Sequence, residues 1–209
     1  MLRIEVDRGR PDPDAIERCA VILEGGGIGV VPTDTVYGIA ALAADGAAVA
    51  KVLAIKRREA GKPLPVQASS LEHAGAVGDL DEPVASALAG RFWPGALTIV
   101  TGLRSGTRLA FLDGRTVGLR VPDSPFCRAL IERAGYLVLP SANLPGAPAP
   151  VGPDAVAGEI SGAVDFFVSA GPCPLGLEST VVDATAGGVV LREGAVSSAE
   201  VAGALEGVA

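Results

Sequence analysis

The sequence predicts an α/β fold in which a single domain is built on a twisted, mixed sheet. Short apolar runs bounded by Gly and Pro indicate buried strands, and segments with apolar residues three to four positions apart indicate helices. The two kinds of segment interleave without strict alternation, which favours a mixed sheet. No fixed-period repeat and no long linker divides the 209 residues, so we expect one domain over residues 1–209.

The first elements are predicted by alternation and by helix signals. Residues 2–6 alternate between apolar and polar side chains, as a half-buried strand does. A helix opens in the segment Pro11–Asp14, carries its apolar residues on one face and ends at the glycine triplet 25–27. The apolar run 28–31 then predicts a short buried strand that is entered from this turn.

The later elements follow from the same patterns. The remaining predicted helices cover residues 47–55, 82–92, 125–134 and 198–205. The remaining predicted strands lie near Val66 and at residues 97–101, 116–121, 136–139, 165–169, 179–183 and 188–192. Residues 144–154 are rich in Pro, Gly and Ala, so we expect them to form a loop.

Composition limits the class of protein. The net charge is −7, whereas a protein that binds nucleic acid through a broad phosphate-binding face is normally basic. No apolar run approaches the roughly 20 residues of a membrane helix, and the first ten residues show no signal-peptide pattern. Cys19, Cys127 and Cys173 are odd in number and widely spaced, which fits neither a disulfide framework nor a zinc site. We therefore expect a cytoplasmic protein with no membrane attachment.

Several common catalytic motifs are missing. The sequence has no GxxxxGK[ST] phosphate loop, no GxGxxG dinucleotide turn and no GxSxG elbow. The single histidine, His73, lies in a polar segment, and we expect it on the surface. A Ser-His-Asp or Cys-His mechanism and a protein metal site are therefore not expected. The cations and hydroxyls that remain favour positioning and electrostatic catalysis on a nucleotide.

Residues 32–38, Pro-Thr-Asp-Thr-Val-Tyr-Gly, follow the buried strand 28–31. Loops that leave the carboxyl ends of strands are where α/β sheets usually bind ligands, and these hydroxyls suit a small polar ligand. The same residues are good turn formers, and Thr33 and Asp34 could simply cap the backbone.

Basic residues are concentrated in one segment. Lys51, Lys56, Arg57, Arg58 and Lys62 fall within twelve positions at a helix end and in the turn after it. Convergent Lys and Arg side chains bind phosphates. A solvated basic helix end, favourably placed against the helix dipole, is the alternative.

Polar residues interrupt three later strands. Arg120 and Arg192 each lie in an apolar strand pattern. Because arginine is seldom buried without a partner, we expect each to face a cleft and to meet a carboxylate, of a ligand or of the protein. Ser141 and Asn143 follow strand 136–139, and Ser179 opens another strand; all three are also common turn residues.

Together these segments resemble the threonylcarbamoyl-adenylate synthase family, also called YrdC-like. The matching motifs are Pro32–Gly38, Lys56–Arg58 with Lys62–Leu64, Trp93–Thr98, Gly118–Pro122, Pro140–Asn143, Ser179–Asp183 and Leu191–Gly194. Each is weak alone, but seven motifs in the family's order form a specific signal.

The resemblance implies a single domain whose large twisted sheet surrounds a concave cavity. It implies a nucleotidyltransferase that condenses L-threonine, bicarbonate and ATP, with Mg²⁺, to threonylcarbamoyl-AMP and pyrophosphate. That product serves the threonylcarbamoyl modification of the adenosine beside the anticodon of tRNAs. Weak tRNA binding and the downstream transfer proteins are the further partners implied. Because longer members carry an extra carboxyl-terminal domain, this chain is similar to the short form.

The resemblance also implies roles for individual residues. It assigns L-threonine to Thr35, Gln67, Arg120 and Ser179, with Arg120 on the carboxylate. It assigns ATP to Arg58, Lys62, Thr116, Ser141, Asn143 and Arg192, and it makes Lys56 and Arg58 the catalytic residues.

Two positions depart from the long-form pattern. Gln67 replaces a histidine that contacts threonine, and Val151 replaces a residue with a hydroxyl. Gln67 can still form hydrogen bonds whereas Val151 cannot, so we expect looser selectivity for threonine.

Two other functions are compatible with the motifs. A carbamoyltransferase acting on another acceptor uses this fold, but as one domain of a much longer chain. A module that binds double-stranded RNA or tRNA through a basic concave face is the second, and the net charge of −7 argues against it.

Overall fold

A computed structural model describes residues 1–57, 64–107, 109, 111–112 and 114–208. The strands are β1 (Leu2–Glu5), β2 (Gly29–Val31), β3 (Gly38–Leu42), β4 (Val66–Gln67), β5 (Leu97–Gly102), β6 (Thr116–Arg120), β7 (Leu137–Val138), β8 (Phe166–Ser169), β9 (Thr180–Asp183) and β10 (Val189–Arg192). Within the described residues these ten strands pair in the order β1-β8-β2-β3-β7-β4-β6-β5-β9-β10. Parallel pairs such as β4–β6 and antiparallel pairs such as β5–β6 both occur, so the predicted mixed α/β sheet is confirmed.

The helices cover both faces of this sheet. They are α1 (Pro13–Glu24), α2 (Gly46–Ile55), α3 (Leu71–Gly75), α4 (Pro83–Phe92), α5 (Pro125–Ala134), α6 (Gly158–Ala163) and α7 (Ser198–Ala204). Most begin at an acid or hydroxyl that accepts a hydrogen bond from the first turn, as Asp12 does for α1 and Ser124 for α5. No helix of the described residues is long and apolar enough to cross a membrane.

Alternation along the strands divides the apolar core in two. Val30 packs into one cluster with α2 and α4, whereas its neighbour Val31 packs into the other cluster with α1 and α5. Phe167 and Phe166 divide in the same way. Because successive strand residues point to opposite faces, the two clusters lie on opposite sides of the sheet.

Three elements are not predicted by the sequence. β3 is made of Gly, Ala, Ile and Leu. Because the strand is buried on both faces, apolar and polar residues do not alternate along it, so the strand pattern is absent. α3 and α6 have five and six residues, too few to display a helical period. The other predicted strands and helices are present with ends shifted by a residue or two; β1, for example, ends at Glu5 and not at residue 6.

His73 lies at the surface only in part, because its side chain is half-buried. Its ring lies 3.9 Å from the ring of Tyr136, and Nδ1 is 2.9 Å from Ser69 Oγ. Burial lowers the pKa of His73, while the nearby Glu132 carboxylate acts in the opposite direction. His73 lies on the short helix α3, which the sequence does not predict. This helix brings its ring against Tyr136, the residue before β7.

All three cysteines are free and buried. Burial raises the pKa of the Cys127 and Cys19 thiols from 9.0 to about 12 and also raises the pKa of Cys173. The Cys127 thiol also donates to Pro32 O at 3.1 Å. These thiols therefore pack as small apolar groups.

We expect the three thiols to resist iodoacetamide at pH 8 in the folded protein and to react once it is unfolded. The reagent attacks the thiolate, and a raised pKa leaves very little thiolate at that pH. Mass spectrometry of protein alkylated with and without guanidinium measures the number of modified cysteines. Rapid native labelling of Cys127 would contradict this account of a buried, protonated thiol.

Candidate active site

The predicted strand-end motifs meet at one pocket. The cavity encloses about 140 Å³ and is reached by the loop after β2, the end of β6 and the loop after β7. It is lined by Thr33, Thr35, Val36, Gly38, Lys56, Pro65, Gln67, Thr98, Leu139, Pro140, Arg120, Ser141, Glu178, Ser179 and Arg192. Seven of the residues assigned by the resemblance are among them: Thr35, Lys56, Gln67, Arg120, Ser141, Ser179 and Arg192.

A row of polar side chains on three adjacent strands forms the floor of this pocket. Gln67 on β4 pairs in register with Arg120 on β6, and the antiparallel register of β5 brings Thr98 opposite Arg120. The preceding or following residues on these strands, such as Val66 and Leu119, belong to the core on the other face. The row therefore occupies the face that α1 and α5 cover elsewhere on the sheet.

Arg120 is held by the loop after β2 and the loop before β5, and it is paired with a buried acid. Its Nη2 donates to Asp34 Oδ1 at 2.5 Å, Nη1 donates to Thr35 Oγ1 at 3.0 Å, and Nε donates to Gly95 O at 2.9 Å. The side chains of Arg120 and Asp34 are only 7% and 4% exposed. The expected carboxylate partner of Arg120 is thus confirmed, and it is the protein's own.

The sequence did not identify Asp34 as this partner. It indicated a turn cap, and the acid instead forms a buried ion pair while its other oxygen, Oδ2, accepts no hydrogen bond from the described residues. One signal was available. A buried arginine needs a carboxylate, and Asp34 follows an apolar strand that carries it into the interior.

Thr33 does fulfil the turn prediction. Its Oγ1 accepts from the backbone N–H groups of Thr35 and Val36 at 3.0 and 3.1 Å and donates to Val36 O at 2.6 Å. The two threonine hydroxyls are 2.9 Å apart, and the Thr33 hydrogen is used by Val36 O, so Thr33 does not donate to Thr35. Thr35 Oγ1 accepts from Arg120 and therefore keeps a second lone pair that a ligand in the pocket can use.

Gln67 is 2% exposed, and its Oε1 accepts no hydrogen bond from the described residues. Beside Arg120 it is an amide that can bind a polar ligand. On the other side of the floor, the Ser179 and Thr98 hydroxyls are 2.9 Å apart and both buried. Val151 does not line the pocket; its backbone oxygen accepts from Cys173 N.

The expectation that Arg192 faces a cleft and meets a carboxylate is confirmed. It lines the pocket, where Nη1 lies 3.4 Å from Glu178 Oε1 and Nη2 donates to Ser179 O at 2.8 Å. The apolar strand pattern around it does not bury the side chain, which is 47% exposed because β10 is an edge strand paired with β9.

Lys56 fastens the rim of the pocket. It caps the carboxyl end of α2, and its Nζ donates at 2.7 Å to Ser141 O, Asn143 O and Asn143 Oδ1. An ammonium has three N–H groups, so it can donate to these three oxygens at the same time. Ser141 Oγ also donates to Asn143 Oδ1, and Asn143 Nδ2 donates to Ala147 O. Lys56 thus joins α2 to the loop after β7 in this structure.

Of the assigned residues that the structure describes, Asn143 and Thr116 do not line the pocket, although Asn143 lies on its rim beside Lys56. Thr116 is exposed at the opposite end of β6 from Arg120, about 13 Å along the strand by its usual rise. The structure therefore does not group Thr116 with the other nucleotide residues. Arg58 and Lys62 lie outside the described residues.

Comparison with known proteins supplies relatives for most of the chain. The family model Sua5_yciO_yrdC, with the description "Telomere recombination", matches residues 21–194. A threonylcarbamoyl-AMP synthase of Bacillus subtilis is 34% identical over 197 residues, which are 91% of this chain and 56% of that protein. A putative threonylcarbamoyl-AMP synthase of Mycobacterium leprae is 36% identical over 91% of this chain and 90% of its own length.

A solved structure of a relative has the same fold as this chain. The crystal structure of Pyrococcus abyssi Sua5 complexed with L-threonine has a TM-score of 0.91 and 31% sequence identity to this chain. The match covers 100% of this chain and 62% of that one. The chain thus spans little more than half of some relatives and nearly all of others.

We expect Lys56→Met and Asn143→Ala to be strongly coupled in their effect on stability. Each removes the same contact, so the double variant should lose less free energy of unfolding than the two single losses added together, by about 1 kcal/mol. Urea unfolding of the three variants measures this. Lys51→Met is the matched control, because Lys51 lies on the same helix but donates to Gly26 O. Additive losses for Lys56 and Asn143 would contradict the fastening role.

Proposed function

This chain belongs to the Sua5/YciO/YrdC family, and on that premise we propose that it condenses L-threonine, bicarbonate and ATP to threonylcarbamoyl-AMP and pyrophosphate. The names of its relatives support this activity, including a relative of nearly the same length. The observation that carries the proposal is the pocket itself. An arginine that already binds a carboxylate, that of Asp34, lies on its floor, and a loop held by Lys56 lies on its rim.

We propose that threonine occupies the floor. The Sua5 relative was crystallised with L-threonine. Three of the five N–H groups of Arg120 donate to described protein atoms, which leaves two for the substrate carboxylate. Thr35 Oγ1 offers a lone pair to the amine, and Gln67 and Ser179 can bind the remaining polar groups.

We assign ATP to the rim of the pocket, formed by the loop after β7, and to its mouth, where Glu178 and Arg192 lie. Ser141 and Asn143 lie on the loop that Lys56 holds in position, and Arg192 lies beside Ser179 at the mouth. Arg58 and Lys62 follow α2 closely in sequence, so they remain the candidates for binding the triphosphate. In this arrangement Lys56 acts by positioning the loop.

The formula of the product requires two new bonds. The threonine nitrogen bonds to the carbon of bicarbonate with loss of water, and an oxygen of the resulting carbamate bonds to the α-phosphorus as pyrophosphate leaves. The first bond needs the free amine, so the site must accept a proton lost from the ammonium. The second needs cations around the leaving group, a role for Arg58 and Lys62.

Mg²⁺ fits this scheme as a partner of the triphosphate. Within the described residues there is no group of three or more His, Cys, Asp or Glu that could hold a metal ion. Magnesium in nucleotide sites is commonly bound by phosphates and one or two carboxylates, with water completing its shell. Glu178, which lines the pocket mouth, is the carboxylate that this chain offers. Bound there, Mg²⁺ would neutralise charge on the phosphates.

The product would be consumed in the cytoplasm by proteins that transfer the threonylcarbamoyl group to the adenosine beside the tRNA anticodon. With a net charge of −7, we propose that any contact of this chain with tRNA is weak.

We expect ATP-dependent pyrophosphate release to require both threonine and bicarbonate. The oxygen proposed to attack the α-phosphorus belongs to the carbamate, which exists only after the threonine amine has bonded to the carbon of bicarbonate. An enzyme-coupled pyrophosphate assay, run with each component omitted and with mass detection of the adenylate, measures this. Equal release without bicarbonate would identify an ordinary amino-acid adenylating enzyme and refute the proposal.

We expect Arg58→Ala and Arg120→Lys to separate the two ligands. The first removes a phosphate-binding fork, so the dissociation constant of ATP should rise about ten- to a hundredfold. The second keeps the positive charge that Asp34 needs but removes the planar guanidinium. The dissociation constant of threonine should therefore rise by a similar factor.

Calorimetric titration of both ligands against both variants measures the separation. Arg104→Ala, which removes an exposed arginine paired with Asp81, is the control and should change neither affinity. If each folded variant lost both ligands equally, the division between floor and rim would be wrong.

A further inference from the structure

We infer that Asp34 makes this pocket select a zwitterionic α-amino acid over a hydroxy acid of the same shape. Asp34 does so by neutralising Arg120 before a substrate binds. The inference rests on the proposed function and deepens it, because it names the residue that determines the charge type of the substrate.

The argument begins with the burial of the ion pair. Asp34 and Arg120 are joined at 2.5 Å with exposed fractions of 4% and 7%, so water does little to screen either charge. Their neighbours on the floor, Gln67, Thr98 and Thr35, are neutral. The floor formed by the described residues therefore carries no net charge when it is empty.

Other charges around the pocket do not alter this balance. Glu178 and Arg192 lie at the mouth as an opposite pair 3.4 Å apart, and their side chains are 39% and 47% exposed. The ammonium of Lys56 is held on the rim by three neutral oxygens, so it keeps its positive charge there. Neither the pair at the mouth nor Lys56 belongs to the polar row that forms the floor.

A ligand with a carboxylate alone would therefore leave the floor with a net charge of −1. A buried charge without a partner is strongly unfavourable, and the attraction of Arg120 is already used by Asp34. A zwitterion adds one charge of each sign, so the sum on the floor remains zero. The Asp34–Arg120 pair thus discriminates between a ligand with an α-ammonium group and one with an α-hydroxyl group.

The floor also offers acceptors for the ammonium. Thr35 Oγ1 has a lone pair available, because Arg120 uses one of its two and the Thr33 hydrogen goes to Val36 O, and it lies next to Asp34 in the chain. Gln67 Oε1 accepts nothing from the described residues. A cation bound to these oxygens stands beside the Asp34 carboxylate, while the ligand carboxylate uses the two remaining N–H groups of Arg120.

Asp34 is a positioning residue in this scheme, because it acts on the ligand through Arg120. Without the acid, a free buried guanidinium would attract any carboxylate. The change from Asp to Asn keeps the shape of the side chain and removes only the charge. Selectivity between two ligands, and not affinity for one, is the property that such a change should affect.

The test compares L-threonine with the dihydroxybutanoate that has a hydroxyl in place of the α-amine. Calorimetry of the wild-type chain should show a preference for threonine of about tenfold or more. In Asp34→Asn the preference should fall to about one or reverse, because the hydroxy acid gains the released arginine. Asp81→Asn is the matched control: it removes an exposed Asp–Arg pair, Asp81 with Arg104, and should retain the wild-type ratio.

Two results would overturn the inference: a wild-type chain that binds both ligands equally, or a folded Asp34→Asn variant that keeps the wild-type ratio. If Asp34→Asn does not fold, the variant Asp34→Asn/Arg120→Gln removes both charges together and leaves no buried ion unpaired. It should bind both ligands weakly and without preference, and a retained preference there would also refute the role of the pair.

Failure of the proposed function gives a different pattern. A wild-type chain that prefers threonine as expected but releases no pyrophosphate with ATP and bicarbonate would contradict the synthase activity alone.

Discussion

The buried ion pair between Asp34 and Arg120 is the interaction on which the site depends. It joins the loop after β2 to the end of β6, across 86 positions of sequence and with several strands between them in the sheet. Removing one partner of such a pair commonly costs about 3–5 kcal/mol, because the other charge is left buried. The loop that carries Thr33 and Thr35 is therefore fixed by the same contact that orients the arginine.

The rest of the site is built outward from this pair by hydrogen bonds. Arg120 donates to Thr35, the Thr35 and Thr33 hydroxyls lie 2.9 Å apart, and Thr33 donates to a backbone carbonyl. On the rim, Lys56 gathers three oxygens of the loop after β7. Charged groups that sequence motifs associate with ligands are thus also used to hold the loops in place. A site assembled in this way needs little rearrangement to receive a small polar substrate.

The sheet explains why this small cavity is polar within an apolar protein. Where α1 and α5 cover the sheet, the strand residues on that face are Val, Leu and Phe. Beyond those helices the same face carries Gln67, Arg120 and Thr98, and the pocket takes the place of a helix. Substrate selectivity and stability therefore involve the same residues, since each polar side chain on the floor must find a partner in the protein or in the ligand.

The amino-acid sequence alone establishes the class of fold, most of the elements and the motifs that form the pocket. These depend on local pattern: helix caps, apolar periodicity and polar residues at strand ends, all of which act between near neighbours. The sequence also indicates that Arg120 needs a carboxylate. Four features require the folded chain: the carboxylate is that of Asp34, Lys56 binds the loop 141–143, Arg192 is half-exposed and Thr116 lies away from the pocket. Each of these outcomes depends on strand order and register, which bring distant residues together or keep them apart, and no local pattern encodes which strand becomes an edge or which buried charges meet.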